Sequence, residues 1–183
     1  AIVMSVSFSG ELAYEIHVPN ASLFAAYSAL MHAGAAHDIG HFGARAVDSM
    51  RMEKGYLHWK SDLITEFDPY ETGLDRFVCR DKDFLGKTAL MARGDKKRRR
   101  LRMLEIDATH ASPQPSDSLY AGGWLIGSVT SADWGYRTGK NIAYAFMQPD
   151  IVEGITVDII GKPYAARLLN GPVYDPDNSR VKS

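Results

Sequence analysis

Early in the chain, two charged residues have the types and settings that ligand recognition requires. Glu15 stands inside Tyr14-Glu15-Ile16-His17-Val18, where apolar and polar residues alternate. Alternation at period two predicts a half-buried strand, with Tyr14, Ile16 and Val18 on one face and Glu15 and His17 on the other. Gly10 is placed to centre a turn just before it. A carboxylate on a strand face can accept two parallel hydrogen bonds from adjacent N–H and amino donors, such as the edge of a pterin or a purine. With water excluded, such a charge-assisted contact contributes about 1.5–3 kcal/mol. Arg45 carries a planar guanidinium suited to a carboxylate or carbonyl of the same ligand. On spacing alone the plainer reading outweighs this one: a surface glutamate and a helix-face arginine, paired with each other and worth little.

Other candidate chemistry is weaker. Gly86-Lys87-Thr88 resembles the tail of a phosphate-binding loop, but the position that needs the earlier glycine is Asp81, an anion. No G-x-G-x-x-G run occurs, so a dinucleotide site is not encoded in this stretch. His37 and His41 have metal-like spacing only on a helix, and Gly40 between them argues for surface or capping roles; no metal site is expected. Cys79 reads as a packed thiol, and a lone cysteine excludes an internal disulfide. The run Lys96-Lys97-Arg98-Arg99-Arg100, with Arg102, reads as a solvated linker entering an edge strand. No aromatics interleave with it and the net charge is −1, so no nucleic-acid partner is expected.

The elements that must position these residues follow from periodicity. A strand is expected over 2–8. A helix is expected over 20–33, with Asn20 as N-cap, Leu23, Phe24, Tyr27, Leu30 and Met31 as its apolar stripe, and Gly34 as its stop. A second helix is expected over about 41–54, with Ala46, Val47 and Met50 buried and Gly55 ending it. On it Arg45, Ser49 and Met52 share a face. A third is expected after Asp83, over 84–92. Beyond residue 93 the helical periods stop. Short strands are expected at 101–106, 124–129, 142–146, 155–160 and 165–169, with turns at Gly122-Gly123 and Gly161-Lys162. The 183 residues suffice for two small domains, divided near 93–97. No apolar run is long enough for a membrane span, and AIVMSVSF does not have the pattern of a signal peptide. The chain opens directly on a strand without an initiator methionine, which reads as the trailing part of a longer protein.

Four stretches, in order, resemble one family. FSGELAYEI at 8–16 is similar to the Y-T-G-E-x-x-x-E-I stretch of the glycine cleavage T-protein (aminomethyltransferase) family. GARAVDSMRMEKG at 43–55 resembles its A-R-D-S-L-R-L-E-x-G helix. YETGLDRFVCRDKDFLGKTAL at 70–90 resembles its E-x-G-L to F-x-G-K-x-A-L block, and IGSVTSADWGYRTGKNIA at 126–143 its G-x-V-T-S to I-A block. GYLHW, GLDRFV and VYDPDNSR look more like the folate region of dimethylglycine and sarcosine dehydrogenases, which follows a flavin domain.

The resemblance implies an α+β fold: residues 1–92 as the C-terminal part of a ferredoxin-like α/β folate-binding domain, and 93–183 as a small antiparallel β-barrel. It implies tetrahydrofolate as cofactor, a small amine-derived donor, and transfer of a one-carbon unit. Glu15 corresponds to the pterin-gripping glutamate and Arg45 to a folate-contacting arginine. Phe8 replaces a family tyrosine and can stack on a pteridine without donating a hydroxyl hydrogen bond. Arg180, or Tyr174, corresponds to a further folate contact near the C-terminus. The family's catalytic aspartate belongs to an N-terminal half with no counterpart here, so no catalytic residue is named and that half is an expected partner. The alternatives are the folate region of a flavin-dependent dimethylglycine or sarcosine dehydrogenase, and a non-catalytic folate-binding module. The expected location is the cytoplasm, or the mitochondrial matrix in a eukaryote.

Overall fold

The computed structural model describes residues 1–94 and 98–182. Lys96 and Lys97 of the basic run lie outside the described residues. The fold is α+β, with a small strand–helix segment ahead of a closed barrel.

The strands β1 (Ile2–Ser5) and β2 (Tyr14–His17) pair antiparallel, with Met4 opposite Glu15. Both faces of β2 are exposed, which corrects the half-buried expectation. Residues 20–22 form one 3₁₀ turn, and α1 follows over Leu23–Gly34. Its end at Gly34 falls within one residue of the expected one, but its start does not hold. Asn20 lies in the 3₁₀ turn, Ser22 occupies the cap, and Gly34 leads into a second 3₁₀ turn closed by Asp38 in the left-handed region. A side chain at Gly34 would strike Ile39, and that close approach accounts for the glycine better than a helix stop does. The apolar stripe of α1 is exposed rather than buried.

Helix α2 (Ala44–Lys54) ends as expected on Gly55 in the left-handed region. Its buried residues are mostly polar or charged: Ser49, Arg51, Glu53 and Lys54 with Met52, while Ala46 is exposed. Helix α3 (Pro69–Thr72), which periodicity did not suggest, is set by local chemistry. Asp68 accepts from the backbone of Tyr70 and Glu71, and the Glu71 side chain accepts from the backbone of Asp68, a capping box with proline at the first helical position. Helix α4 (Lys87–Arg93) starts at Gly86, not at Asp83. Cys79 is exposed, contrary to the packed-thiol expectation.

The remaining chain closes on itself: β3 (Arg100–Ile106), β4 (Ser118–Ala121), β5 (Trp124–Gly135), β6 (Lys140–Met147), β7 (Ile155–Ile159) and β8 (Lys162–Leu169) form a barrel ordered β3-β6-β5-β4-β7-β8. All five strands expected there are present, and β4 is additional. β3 pairs with both β6 and β8, so it is not the edge strand that the basic run suggested. Arg98 instead bonds Glu71 on α3, and Arg99 donates to the carbonyl of Ile126. The turns use left-handed Gly122 and Gly123, and Ile160 and Gly161. Inside, Leu104, Leu119, Ala143, Ala145, Met147 and Val157 are fully buried. A second cluster outside the barrel wall packs Met52 of α2 against Met103, Ile142, Tyr144 and Phe146.

Candidate functional site

Helix α2 lies against the barrel, and the contact is fixed by a buried carboxylate. Asp62, fully buried, accepts from the Arg51 guanidinium at 2.8 Å and from the His58 backbone at 2.8 Å. Its other oxygen accepts from the hydroxyls of Thr130 at 2.5 Å and Ser131 at 2.6 Å. In a regular strand neighbouring side chains point to opposite faces. Here the register of β5 against β6 slips between Val129 and Ser131, and the resulting bulge lets both hydroxyls reach one carboxylate.

Beside this anchor a cleft of about 350 Å³ opens between α2 and the barrel. Arg45, Asp48, His58, Lys60, Ser61 and Asp133 are on its wall. Burial pushes the Asp133 carboxyl above its ordinary range; the Trp134 backbone N–H opposes this and the charge of Asp48 adds to it. Arg45 and Asp133 also border a larger cavity on the other flank of the helix, about 670 Å³, together with Tyr136 and Arg137. The cleft therefore offers cations, a carboxylate biased toward its neutral form, and hydroxyls.

A second polar cluster joins the strand–helix segment to the barrel. Arg137, in the turn between β5 and β6, donates to Glu53 at 2.5 Å, to Glu11 at 2.7 Å, and to the carbonyls of Met50 at 2.7 Å and Ser9 at 3.2 Å. Its guanidinium lies 3.7 Å from the ring centre of Tyr174, whose hydroxyl donates to Glu11 at 2.6 Å. That hydroxyl, and then Arg137, hold the Glu11 carboxyl below its ordinary range. Lys54, 1% exposed, pairs with Asp175 at 2.7 Å and ties the C-terminal tail to the end of α2. Its stem fills the space a side chain at Gly10 would need, and Gly10 sits at φ +80°.

The residues singled out from the sequence fall around these clusters. Phe8 is partly exposed, and its ring centre lies 6.2 Å from that of His58, on the cleft wall. Arg45 lines the cleft itself. Glu15 is exposed, meets His17 at 3.1 Å, and does not line the cleft. Arg180 belongs to the tail, where its backbone N–H donates to Asp175 and its charge acts on Glu11 and Tyr174. Arg45 and Glu15 are not a contact pair: each faces solvent on its own element. His41 accepts or donates at 2.7 Å to the Tyr27 hydroxyl and stacks on that ring. Asp62 carried no sequence signal, and Glu11, Asp133 and Arg137 fall inside the matched stretches 8–16 and 126–143, which assigned them no role. Only the run of charges in Arg51-Met52-Glu53-Lys54, too polar for a buried helix face, hinted that partners were waiting elsewhere.

Two family models match in chain order. Residues 1–82 match the GCVT N-terminal domain, and residues 99–175 match the glycine cleavage T-protein C-terminal barrel domain. The chain belongs to the glycine cleavage T-protein family. Mitochondrial sarcosine dehydrogenase of Mus musculus is 37% identical over 97% of this chain and 21% of that protein. Mitochondrial dimethylglycine dehydrogenase of Rattus norvegicus is 31% identical over 97% of this chain and again 21% of its partner in the comparison. The aminomethyltransferase of Thermotoga sp. (strain RQ2) is 29% identical over 95% of this chain and 48% of its own length. The chain thus spans about a fifth of the dehydrogenases and about half of the transferase. Among solved structures, the glycine cleavage system aminomethyltransferase T from Bartonella henselae superposes with a TM-score of 0.84 at 22% identity, over 95% of this chain and 50% of that one. That likeness bears on the fold, and it agrees with the α+β arrangement and the closed barrel.

Proposed function

We propose that this T-protein-family chain binds tetrahydrofolate and serves an aminomethyltransferase reaction, in which a one-carbon unit passes from an aminomethyl or N-methyl-amine-derived donor to the folate. The observation that carries the reading is the ordered match of both family domains, with Phe8, Glu15 and Arg45 inside the first. Residues 1–92 would make up the folate-binding part and 93–183 the barrel part. Donor-side groups would come from a preceding half of the same protein. The setting would be aqueous, the cytoplasm or a mitochondrial matrix; among the described residues no helix is long and apolar enough to cross a membrane.

In this reading Glu15 accepts two hydrogen bonds from the amino group and adjacent N–H of the pterin. Its exposure on a strand suits a ligand that arrives from outside the segment. Phe8 packs on the ring, and Arg45 holds a carbonyl or carboxylate of the same molecule. Arg180 is the tail residue assigned to folate, with Tyr174, whose hydroxyl donates to Glu11, as the alternative. A folate nitrogen attacks the electrophilic donor carbon. A second folate nitrogen closes on the same carbon, so that two C–N bonds form as the carbon's two bonds to the donor break, and the two protons lost by the folate nitrogens leave on the departing donor groups. The protein's part is chiefly to hold the two reactants in line.

The test is calorimetric titration of 5-formyltetrahydrofolate into the protein expressed from its complete reading frame, wild type against Glu15→Gln. The amide turns a donor toward ligand donors at constant size. An affinity loss of about 1.5–3 kcal/mol is expected, roughly ten- to a hundredfold. Equal affinity in the two folded proteins would refute the grip.

A further inference from the structure

The four residues assigned above to folate lie on three separate stretches of chain, and those stretches meet at one side chain. Phe8 and Glu15 flank the Ser9–Glu11 turn; Arg45 is on α2; Arg180 is on the tail. The Arg137 guanidinium bonds the Ser9 carbonyl and the Glu11 carboxylate in the turn, and the Met50 carbonyl and Glu53 on α2. It also lies over the ring of Tyr174 on the tail. Two backbone groups complete the joint: the N–H groups of Arg137 and Thr138 both donate to Glu53 at 2.8 Å. Glu53 is fully enclosed, so these donors stand in for the water its oxygens have lost.

We propose that Arg137 of the barrel is a positioning residue for folate, setting the turn that presents Phe8 and Glu15 against the helix that presents Arg45. The geometry favours this over general bracing for two reasons. First, the bonds run to both sides of Gly10, whose left-handed conformation already fixes the direction in which the chain leaves toward β2. Second, a guanidinium has a planar fork of five donors, and here separate donors reach separate elements; an ammonium cannot hold that set of angles. The barrel is thereby more than a lid on the core. One turn of it acts on the spacing between ligand-binding elements that Lys54, packed on Gly10 and paired with Asp175, and the Tyr174 hydroxyl, bonded to Glu11, also tie together.

The proposal rests on the folate reading, and the experiment separates the two. The protein from the complete reading frame is titrated with 5-formyltetrahydrofolate as wild type, Arg137→Gln, Arg137→Lys, Tyr174→Phe and Glu11→Gln, and as Glu15→Gln alone and with Arg137→Gln. Circular dichroism melts are recorded for each. Wild-type binding is expected, with Arg137→Gln weakening it about tenfold and Arg137→Lys recovering only part. Glu15→Gln should cost distinctly less on the Arg137→Gln background, since coupled residues are non-additive. Tyr174→Phe, which keeps the ring under the guanidinium, should weaken binding about threefold with little change in melting. A folded Arg137→Gln protein with wild-type affinity overturns the positioning role alone. If that variant does not fold, wild-type affinity in both Tyr174→Phe and Glu11→Gln overturns it. Absence of binding by the wild type overturns the folate reading, and the positioning role with it.

Discussion

The barrel and the strand–helix segment ahead of it carry the same kinds of apolar periodicity and treat them in opposite ways. In β6 every residue from Asn141 to Met147 is buried. In α1 no residue is buried, and Phe24 is 80% exposed. Both stretches are accurate readings of local structure, a strand and a helix where the period predicts them. The difference teaches that periodicity names the face that seeks cover and says nothing of where the cover comes from. Closing the sheet turns one face of every strand inward, and the outer face of β6 is covered by Met52 of α2 with Leu57 and Phe67. A two-stranded sheet and one helix cannot do the same.

The contrast is sharpest in matched truncations, and the larger effect belongs to the barrel. Leu104 on β3 is fully enclosed among Val129, Ala145 and the other core residues. Leu104→Ala removes its packing and leaves a cavity, with an expected loss of about 2–5 kcal/mol. Urea unfolding followed by circular dichroism measures it. A loss under about 1 kcal/mol would mean that the barrel relaxes around the gap and is less sharply different from the segment than its burial implies.

Legibility divides along the same line. The barrel strands were readable because alternation and paired glycines are local signals. β4 was missed because Ser118-Leu119-Tyr120-Ala121 is short and follows a stretch rich in serine and proline. The starts of α1 and α4 differ from the expected ones because a residue type that caps well, Asn20 or Asp83, stands where the backbone goes elsewhere. The family motifs located Phe8, Glu15 and Arg45 along the chain. What surrounds them was not readable: Glu53 meets Arg137 across 84 positions and Asp62 meets Ser131 across 69, and no local pattern encodes such pairs.

Between the two regions lies a joint made of charge, and pH addresses it selectively. Hydrogen bonds from Lys54 and then Ser179 hold the Asp175 carboxyl well below its ordinary range. Glu11 is lowered by the Tyr174 hydroxyl and Arg137. Glu71, despite burial that raises it, is lowered overall by Arg98. A carboxyl depressed in the folded state contributes stability that is present above its unfolded value and is lost as pH falls toward its folded one. The window therefore opens below about pH 4.5 and deepens on further acidification. Asp133 has the opposite sign, since its raised carboxyl takes up a proton more readily when folded, and it offsets part of the loss. The expected outcome on acidification is faster amide exchange at 9–11 and in the tail, while β6 stays protected. The barrel's own depressed carboxylate, Glu105, is an outer-wall pair with Lys140 and Arg167 and does not hold the core. Simultaneous loss of protection in β6 would show that joint and barrel unfold as one unit.

The smallest effect is expected where the apolar side chain is largest and least covered. Phe24→Ala on α1 removes a ring that touches little in this chain, and surface substitutions of that kind stay within about 0.5 kcal/mol. Burying a phenylalanine elsewhere makes the same truncation cost about 3–5 kcal/mol. The measurement thus reads cover directly. Performed on the 183-residue chain, it should give almost nothing. Performed on the protein from its complete reading frame, it gives the larger value if further polypeptide packs on α1, and again almost nothing if that face stays in water. A large loss already in the 183-residue chain, growing with protein concentration, would mean that a second copy covers the helix. In that case the exposed and enclosed halves of the comparison would differ only in where their partner comes from.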